Sequence, residues 1–156
     1  VLSNAGNGVH VNTVVAYLDE RPLERGIFTQ QEIDNQQLVW SIGHTASFDT
    51  GFEYRSFLHQ FEASQQCDFL AWSYTIWTPD DERESGRREV INCDLDEGSF
   101  MNSSPTPNAG CPTKEMDNNG DCSQDLYATR PIQAGDEILV NYDDFFVENG
   151  WALFGL

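Results

Sequence analysis

The chain has 156 residues, 39% of them hydrophobic, which is enough for one domain with a buried core and too many for a disordered segment. Eight basic and 26 acidic residues give a net charge of −18, which disfavours direct binding to nucleic acid or to anionic membranes. No apolar run reaches the roughly 18 residues that a membrane span requires, so we expect no membrane association. The chain begins at Val1, so we expect a processed product or a part of a longer protein.

Short runs of β-branched and aromatic residues predict several strands in the first part of the chain. These runs cover residues 9–11, 14–18, 25–29 and 38–42. Glycine, proline and polar residues separate them, which is typical of turns.

The middle of the chain differs, because aromatic residues recur there at helical spacing. This pattern predicts one helix from Glu53 to Ala63. A strand is predicted next over residues 69–77, followed by a charged hairpin loop over 80–88 and a short strand over 89–94.

The stretch from Ser99 to Tyr142 combines a turn-rich loop, which holds Pro105 and Pro107, with a later strand, turn and strand. The later part covers residues 126–142. Many short strands and one or two short helices predict a mainly β, α+β fold. The length predicts a single domain over residues 1–156.

The four cysteines form no C-x-x-C pair, so neither a zinc site nor a disulfide framework is evident. We expect free thiols, with a disulfide between Cys111 and Cys122 as the alternative in an oxidising compartment. Turn-forming residues at 117–121 suggest calcium, but their spacing does not fit the calcium-loop pattern. We therefore expect no metal site.

Three segments follow one another along the chain: RGIFTQQEI at 25–33, FMNSS at 100–104 with Pro107-Asn108 after it, and 127–138 followed by Tyr142. Together they resemble the SET domain, a family of protein-lysine methyltransferases that use S-adenosylmethionine. The resemblance extends from about Arg25 to Phe146, in a compact form without the family's cysteine-rich tail. It implies small curved sheets, a helical insert at about 43–68 and a pseudoknot-like crossing of the last two segments.

The resemblance also implies roles for individual residues. Tyr142 matches the family's closing tyrosine and is the implied catalytic residue. The implied cofactor-binding residues are Glu24, Arg25, Gly26, Asn102, Ser103 and Tyr142, and the implied walls of the substrate channel are Trp72, Tyr74 and Phe145. Three positions depart from the family pattern: Ser103 replaces its histidine, Ser99 an arginine that is common there, and Glu24 the first glycine of the opening motif. Upstream, Gly6-Asn7-Gly8 is an alternative glycine motif.

These residue types suit methyl transfer, an in-line displacement in which the protein supplies alignment and electrostatics. The attacking lysine must lose its charge, and a desolvated aromatic channel lowers its pKa. The Tyr142 hydroxyl and backbone carbonyls suit orientation of the methyl group. Asn102 suits the amino-acid end of the cofactor, and Gly26 lets the backbone approach it closely.

The resemblance therefore implies a lysine methyltransferase that acts on a basic protein segment, such as a histone tail, and releases S-adenosylhomocysteine. The negative charge would attract such a segment. Candidate contacts for its basic residues are Asp94, Asp96, Glu97, Asp143, Asp144 and Glu148. Two alternatives stay open, a binding module that is inactive or weakly active and a methyltransferase for a non-histone protein. A nuclear or cytoplasmic location is favoured. Several family members have Phe or Tyr near the position of Val140, where it limits the number of methyl groups added, so the valine leaves the degree of methylation open.

Overall fold

The computed structural model describes residues 8–19, 21–79, 86–111, 125–147 and 149–156. Within them the strands are β1 Thr13–Leu18, β2 Arg21–Thr29, β3 Leu38–Ser41, β4 Thr45–Phe48, β5 Ser73–Pro79, β6 Arg87–Asp94, β7 Asn102–Ser103, β8 Ala109–Gly110, β9 Asp125–Ala128 and β10 Leu139–Val140. The α-helices are α1 Gly51–Leu58, α2 Ala63–Ala71 and α3 Gly150–Leu153. Short 3-10 turns cover Ile42–His44, Glu97–Phe100 and Tyr142–Asp144. This is the mainly β, α+β fold that the sequence predicts.

The chain divides into two compact units. One comprises residues 1–44 and 96–144, and the other comprises residues 45–95 and 145–156. A single domain over residues 1–156 remains a prediction. No helix among the described residues is long and apolar enough to cross a bilayer.

Over its described residues, the first unit contains three small sheets. β1 and β2 form an antiparallel pair, β3, β9 and β8 form an antiparallel sheet in that order, and β7 pairs with β10 in parallel. The strands predicted at 14–18, 25–29 and 38–42 are confirmed, although β2 begins earlier, at Arg21. In the run at 9–11, Val9 forms an isolated bridge to Trp40.

Asp96 fixes the turn that leads into β7. One carboxylate oxygen accepts hydrogen bonds from the Trp40 indole at 3.1 Å and the Gly98 backbone at 2.7 Å, and the other accepts from the Gly8 backbone at 2.9 Å. A Cβ at Gly8 or Gly98 would overlap the Trp40 side chain or the carboxylate itself. The Glu97–Phe100 turn is therefore anchored to two other parts of the first unit.

The second unit pairs the antiparallel sheet β4-β6-β5 with the helices α1, α2 and α3. The prediction of one helix from Glu53 to Ala63 was wrong, because α1 ends at Leu58 and α2 starts at Ala63. Local capping marks the two starts: Thr50 and Glu53 form a reciprocal capping box at the start of α1, and Gln65 Oε1 accepts from the Glu62 backbone at the start of α2. The predicted strand over 69–77 was wrong in its first part, since residues 69–71 complete α2 and β5 begins at Ser73.

Aromatic packing forms the core of the second unit. Tyr54, Leu58 and Ile91 are buried at its centre. The Tyr54 ring lies 5.4 Å from Phe48 and 5.8 Å from Trp151, measured between ring centroids. Of the aromatic residues that predict a helix, Phe48 on β4 and Phe57 on α1 pack against this core, whereas Phe52 on α1 is 73% exposed.

A polar chain crosses this core. Tyr54 donates its hydroxyl proton to Ser73 Oγ at 2.9 Å, and Ser73 donates to the Phe69 carbonyl at 2.6 Å. The Cys93 thiol also lies near that carbonyl, at 3.7 Å. Burial raises the pKa of the Tyr54 phenol and of the Cys93 thiol above their ordinary values.

The cysteines differ from the expectation of free thiols. Cys67 and Cys93 are free, but Cys111 is disulfide-bonded, so that expectation was wrong for Cys111. Cys122 and the possible calcium loop at 117–121 lie outside the described residues. Over the described residues, no group of three or more His, Cys, Asp or Glu side chains is arranged to hold a metal ion.

We predict that iodoacetamide alkylates Cys67 at least about tenfold faster than Cys93 in the native protein near pH 8. The raised pKa of Cys93 lowers its thiolate fraction, and the residue is 0% exposed, whereas Cys67 is exposed. Peptide mass spectrometry after timed quenching gives both rates. Denaturant should equalise them, and equal rates in the native protein would contradict the burial of Cys93.

Candidate active site

Two segments that are distant in the sequence meet in the first unit. Asn102 and Ser103 pair in parallel with Leu139 and Val140, and the Ser104 amide donates to the Val140 carbonyl at 2.8 Å. These are the segments that the family resemblance expects to cross. The structure therefore brings the asparagine-bearing loop and the strand before Tyr142 together.

Asn108 is buried, at 6% exposure, and connects the two segments through hydrogen bonds. Its side-chain amide donates to the Glu137 carbonyl at 2.8 Å, and its amide oxygen accepts from the Leu139 backbone at 2.8 Å. Its own backbone amide also donates to the Leu139 carbonyl, at 3.0 Å. Asn108 is part of the Pro107-Asn108 motif, and its sequence position alone does not indicate this structural role.

Tyr142 follows β10 and begins the last 3-10 turn. Its hydroxyl donates to the Met101 carbonyl at 2.8 Å, and its backbone amide donates to Ser103 Oγ at 3.2 Å. The side chain is 37% exposed, so it is fixed at one end and accessible to a substrate. Ser103, at the family's histidine position, thus has a role in holding Tyr142.

Asn102 donates both protons of its side-chain amide to the protein. One donor contact is to the Arg25 carbonyl at 3.0 Å, and the other is to Glu137 Oε1 at 2.7 Å. Its amide oxygen is therefore the group that can accept a hydrogen bond from a ligand.

Residues 24–26 lie on β2 beside this amide. Gly26 is buried, and a Cβ there would overlap the Glu137 carboxylate. Arg25 is exposed, with its guanidinium carbon 4.5 Å from the centroid of the Phe100 ring. Glu24 is also exposed. The structure thus places Arg25, Gly26 and Asn102 together, while their roles in cofactor binding remain predictions.

The predicted channel residues Trp72, Tyr74 and Phe145 all belong to the second unit. The Tyr74 and Phe145 rings meet edge to face at 5.8 Å, and Tyr74 donates its hydroxyl proton to Asp94 at 3.2 Å. Trp72 lies at the end of α2, where its ring packs against Phe69 at 5.9 Å. Their role as channel walls remains a prediction.

The acidic residues proposed to contact a basic substrate have different environments. Asp94 is 8% exposed and also accepts from Thr45, while Asp96 anchors its turn. Glu97 accepts from Thr13, Asp144 accepts from Asn141, and Glu148 lies outside the described residues. Asp143 is exposed and next to Tyr142, which makes it the best placed of the six.

A shallow cavity of about 530 Å³ lies in the second unit, at the start of α1. Its lining residues are Asp49, Thr50, Gly51, Phe52, Glu89, Leu153 and Phe154. None of the predicted site residues is among them, so the cavity plays no part in the assignment of the active site.

Comparison with known proteins points to one family. A model of the SET domain family matches residues 24–143, which is more than half of the chain. A search of curated proteins finds no significant match.

Three solved structures share the fold at low sequence identity. DIM-5, a histone lysine methyltransferase of Neurospora, is 17% identical with a TM-score of 0.54, and the match covers 86% of this chain and 53% of that one. A humanized Chaetomium thermophilum Polycomb Repressive Complex 2 is 16% identical with a TM-score of 0.53, over 88% of this chain and 16% of that one. ctPRC2 bound to S-adenosylmethionine is 17% identical with a TM-score of 0.55, over 92% and 16%.

We predict that Asn108→Ala lowers the free energy of unfolding by about 2–4 kcal/mol, because two buried hydrogen bonds are lost. Asn108→Asp should cost at least as much, since it keeps the acceptor for Leu139 but buries a carboxylate oxygen against the Glu137 carbonyl. Urea unfolding measures both. The exposed residue Asn35 provides the control, because Asn35→Ala should change stability by no more than about 0.5 kcal/mol. Equal stabilities of the Asn108 and Asn35 variants would contradict the prediction.

Proposed function

Because the chain belongs to the SET domain family, we propose that it is a protein-lysine N-methyltransferase that uses S-adenosylmethionine. The observation that carries this proposal is the Tyr142 hydroxyl, which donates to the Met101 carbonyl beside the Asn102 amide. The phenol and the amide lie where the crossing joins the two motif segments. This arrangement fits the catalytic and cofactor-binding roles assigned to them.

The residues around Asn102 fit the amino-acid end of S-adenosylmethionine. That end carries an ammonium, which suits the Asn102 amide oxygen, and a carboxylate, which suits the Arg25 guanidinium. Gly26 leaves room for close approach along β2. When bound, the cofactor supplies an electrophilic methyl group on a sulfonium.

Tyr142 would orient the reacting amine and methyl group. Because its proton is donated to Met101, its oxygen acts as an acceptor toward further partners. A lysine N–H or a polarised methyl C–H is such a partner. The contact between Met101 and Tyr142 therefore sets both the position and the polarity of the phenol.

The substrate lysine must be neutral before it attacks, and an aromatic environment favours the neutral form by desolvation. Tyr74 and Phe145 have the right chemistry for this task, as does Trp72. Their rings would exclude water from the lysine side chain and lower its pKa.

A basic protein segment is the proposed substrate. The net charge of −18 favours its encounter with the enzyme, and exposed Asp143 next to Tyr142 would contact a Lys or Arg near the target. A histone tail is one such segment and would imply a nuclear protein. A non-histone substrate would be compatible with a cytoplasmic one.

The second candidate function is a binding module without turnover. Ser103 favours it, because a small exposed hydroxyl replaces the family's histidine ring. Isothermal titration with S-adenosylmethionine and S-adenosylhomocysteine, followed by methylation of histones and cell lysate with labelled cofactor, separates the two functions. Cofactor binding without transfer to any protein would favour the binding module, and no binding would exclude an enzyme of this kind.

We predict that Tyr142→Phe lowers turnover by about tenfold or more while the circular dichroism spectrum is retained. The variant loses the hydroxyl that orients the reacting groups, and it keeps the ring. Labelled methyl transfer to the best substrate of the panel measures turnover. Tyr17, which is 67% exposed, provides the control, and Tyr17→Phe should be fully active. Unchanged turnover in Tyr142→Phe would remove the phenol from catalysis.

We also predict that Asp143→Asn raises KM for a basic peptide about two- to fivefold at low ionic strength, with little change in kcat. An exposed ion pair contributes this much, and added salt should reduce the difference. Steady-state kinetics at two salt concentrations test the effect. Asp34→Asn, at another exposed aspartate, should leave KM unchanged. If KM is the same in Asp143→Asn as in the wild type and does not change with salt concentration, this carboxylate does not contact the substrate.

A further inference from the structure

Glu137 forms a side-chain hydrogen bond with Asn102, which lies 35 positions earlier in the sequence. Its Oε1 accepts from the Asn102 amide at 2.7 Å, a shorter distance than the 3.0 Å from that amide to the Arg25 carbonyl. Glu137 is half-buried. A hydrogen bond to an ionised acceptor in such a place is stronger than a bond between neutral groups.

Backbone contacts on both sides of Glu137 fix the position of its carboxylate. Glu137 bridges to Phe28 on β2, its carbonyl accepts from Asn108, and the next residue, Ile138, donates to the Ile27 carbonyl at 2.8 Å. The side chain then lies over Gly26, where a Cβ would overlap it. The absence of a side chain at Gly26 thus makes room for the carboxylate.

The contact determines which way the Asn102 amide faces. The oxygen and nitrogen ends of an amide have nearly the same shape, so packing alone does not distinguish them. Here the nitrogen faces two acceptors, the Arg25 carbonyl and the Glu137 carboxylate. A reversed amide would lose both bonds and bring three oxygens together.

We propose that Glu137 is a positioning residue, which fixes the Asn102 amide so that its oxygen is presented to the ammonium of the cofactor. The inference rests on the proposed function for the identity of the ligand. The orientation of the amide itself is a property of the protein alone and can be measured without any cofactor.

The first measurement is nuclear magnetic resonance of the side-chain amide of Asn102, assigned by comparison with Asn102→Asp. In the wild-type protein we expect two resolved proton signals with slow solvent exchange. Glu137→Ala should speed that exchange at least about tenfold, and Glu137→Gln, whose amide oxygen still accepts, should restore part of the protection. An unchanged amide signal in Glu137→Ala would overturn the proposal.

The second measurement is isothermal titration with S-adenosylmethionine and S-adenosylhomocysteine. Glu137→Ala should weaken both about tenfold, the factor that corresponds to one hydrogen bond with a charged group. Because Glu137 acts through Asn102, the double variant with Asn102→Ala should bind no more weakly than Asn102→Ala alone. Independent, additive losses would overturn the proposal. Glu32→Ala, at an exposed carboxylate of the same unit, should bind as the wild type does.

The two measurements separate this inference from the proposed function. A wild-type protein that binds neither cofactor but loses amide protection in Glu137→Ala would refute the proposed function and support the fixed amide. A protein that binds the cofactor but whose Asn102 amide exchange is unchanged in Glu137→Ala would support the proposed function and refute the fixed amide. KM for the peptide and the melting temperature should change little in Glu137→Gln, which distinguishes positioning from a general loss of structure.

Discussion

The parallel pairing of Asn102 and Ser103 with Leu139 and Val140 is the contact on which the candidate site depends. Neither strand is long enough to be stable alone, since each contributes two residues. Side-chain hydrogen bonds add to this short ladder: buried Asn108 bonds to the backbone of Glu137 and of Leu139, on either side of Ile138 at the entry to β10. The amide and the phenol of the site lie at the ends of this short ladder, so their separation is set by backbone hydrogen bonds.

Each functional group is held by a neighbour whose own position is fixed. Tyr142 is held by the Met101 carbonyl and by Ser103, and Asn102 is held by β2 and Glu137. Upstream, Asp96 anchors the turn before β7 through two backbone amides and an indole. Such supporting contacts keep polar groups in one orientation, which electrostatic catalysis requires.

Sequence reasoning recovered most strands, because alternating and β-branched runs report a local preference. It extended the first helix beyond Leu58 and missed α2, because the aromatic spacing continues past the end of α1 and only the caps at Thr50 and Glu62 mark the two helix starts. The crossing was expected from family resemblance and not from periodicity, since pairing between distant segments leaves no periodic signal. Glu137 was missed for the same reason: its partners lie on β2 and β7, and an acid after a turn is ordinarily a solvated charge.

The two-residue ladder has a consequence for the stability of the candidate site. Joining two segments that are far apart in the sequence costs loop-closure entropy, and only a few hydrogen bonds compensate for that cost. We therefore expect the β7–β10 pairing to be among the less stable parts of the first unit. If β10 separates from β7, the phenol loses its anchor and the amide loses its carboxylate partner at the same moment. Mild heat or a low concentration of denaturant should therefore abolish the proposed activity in a single step, before the remaining sheets unfold.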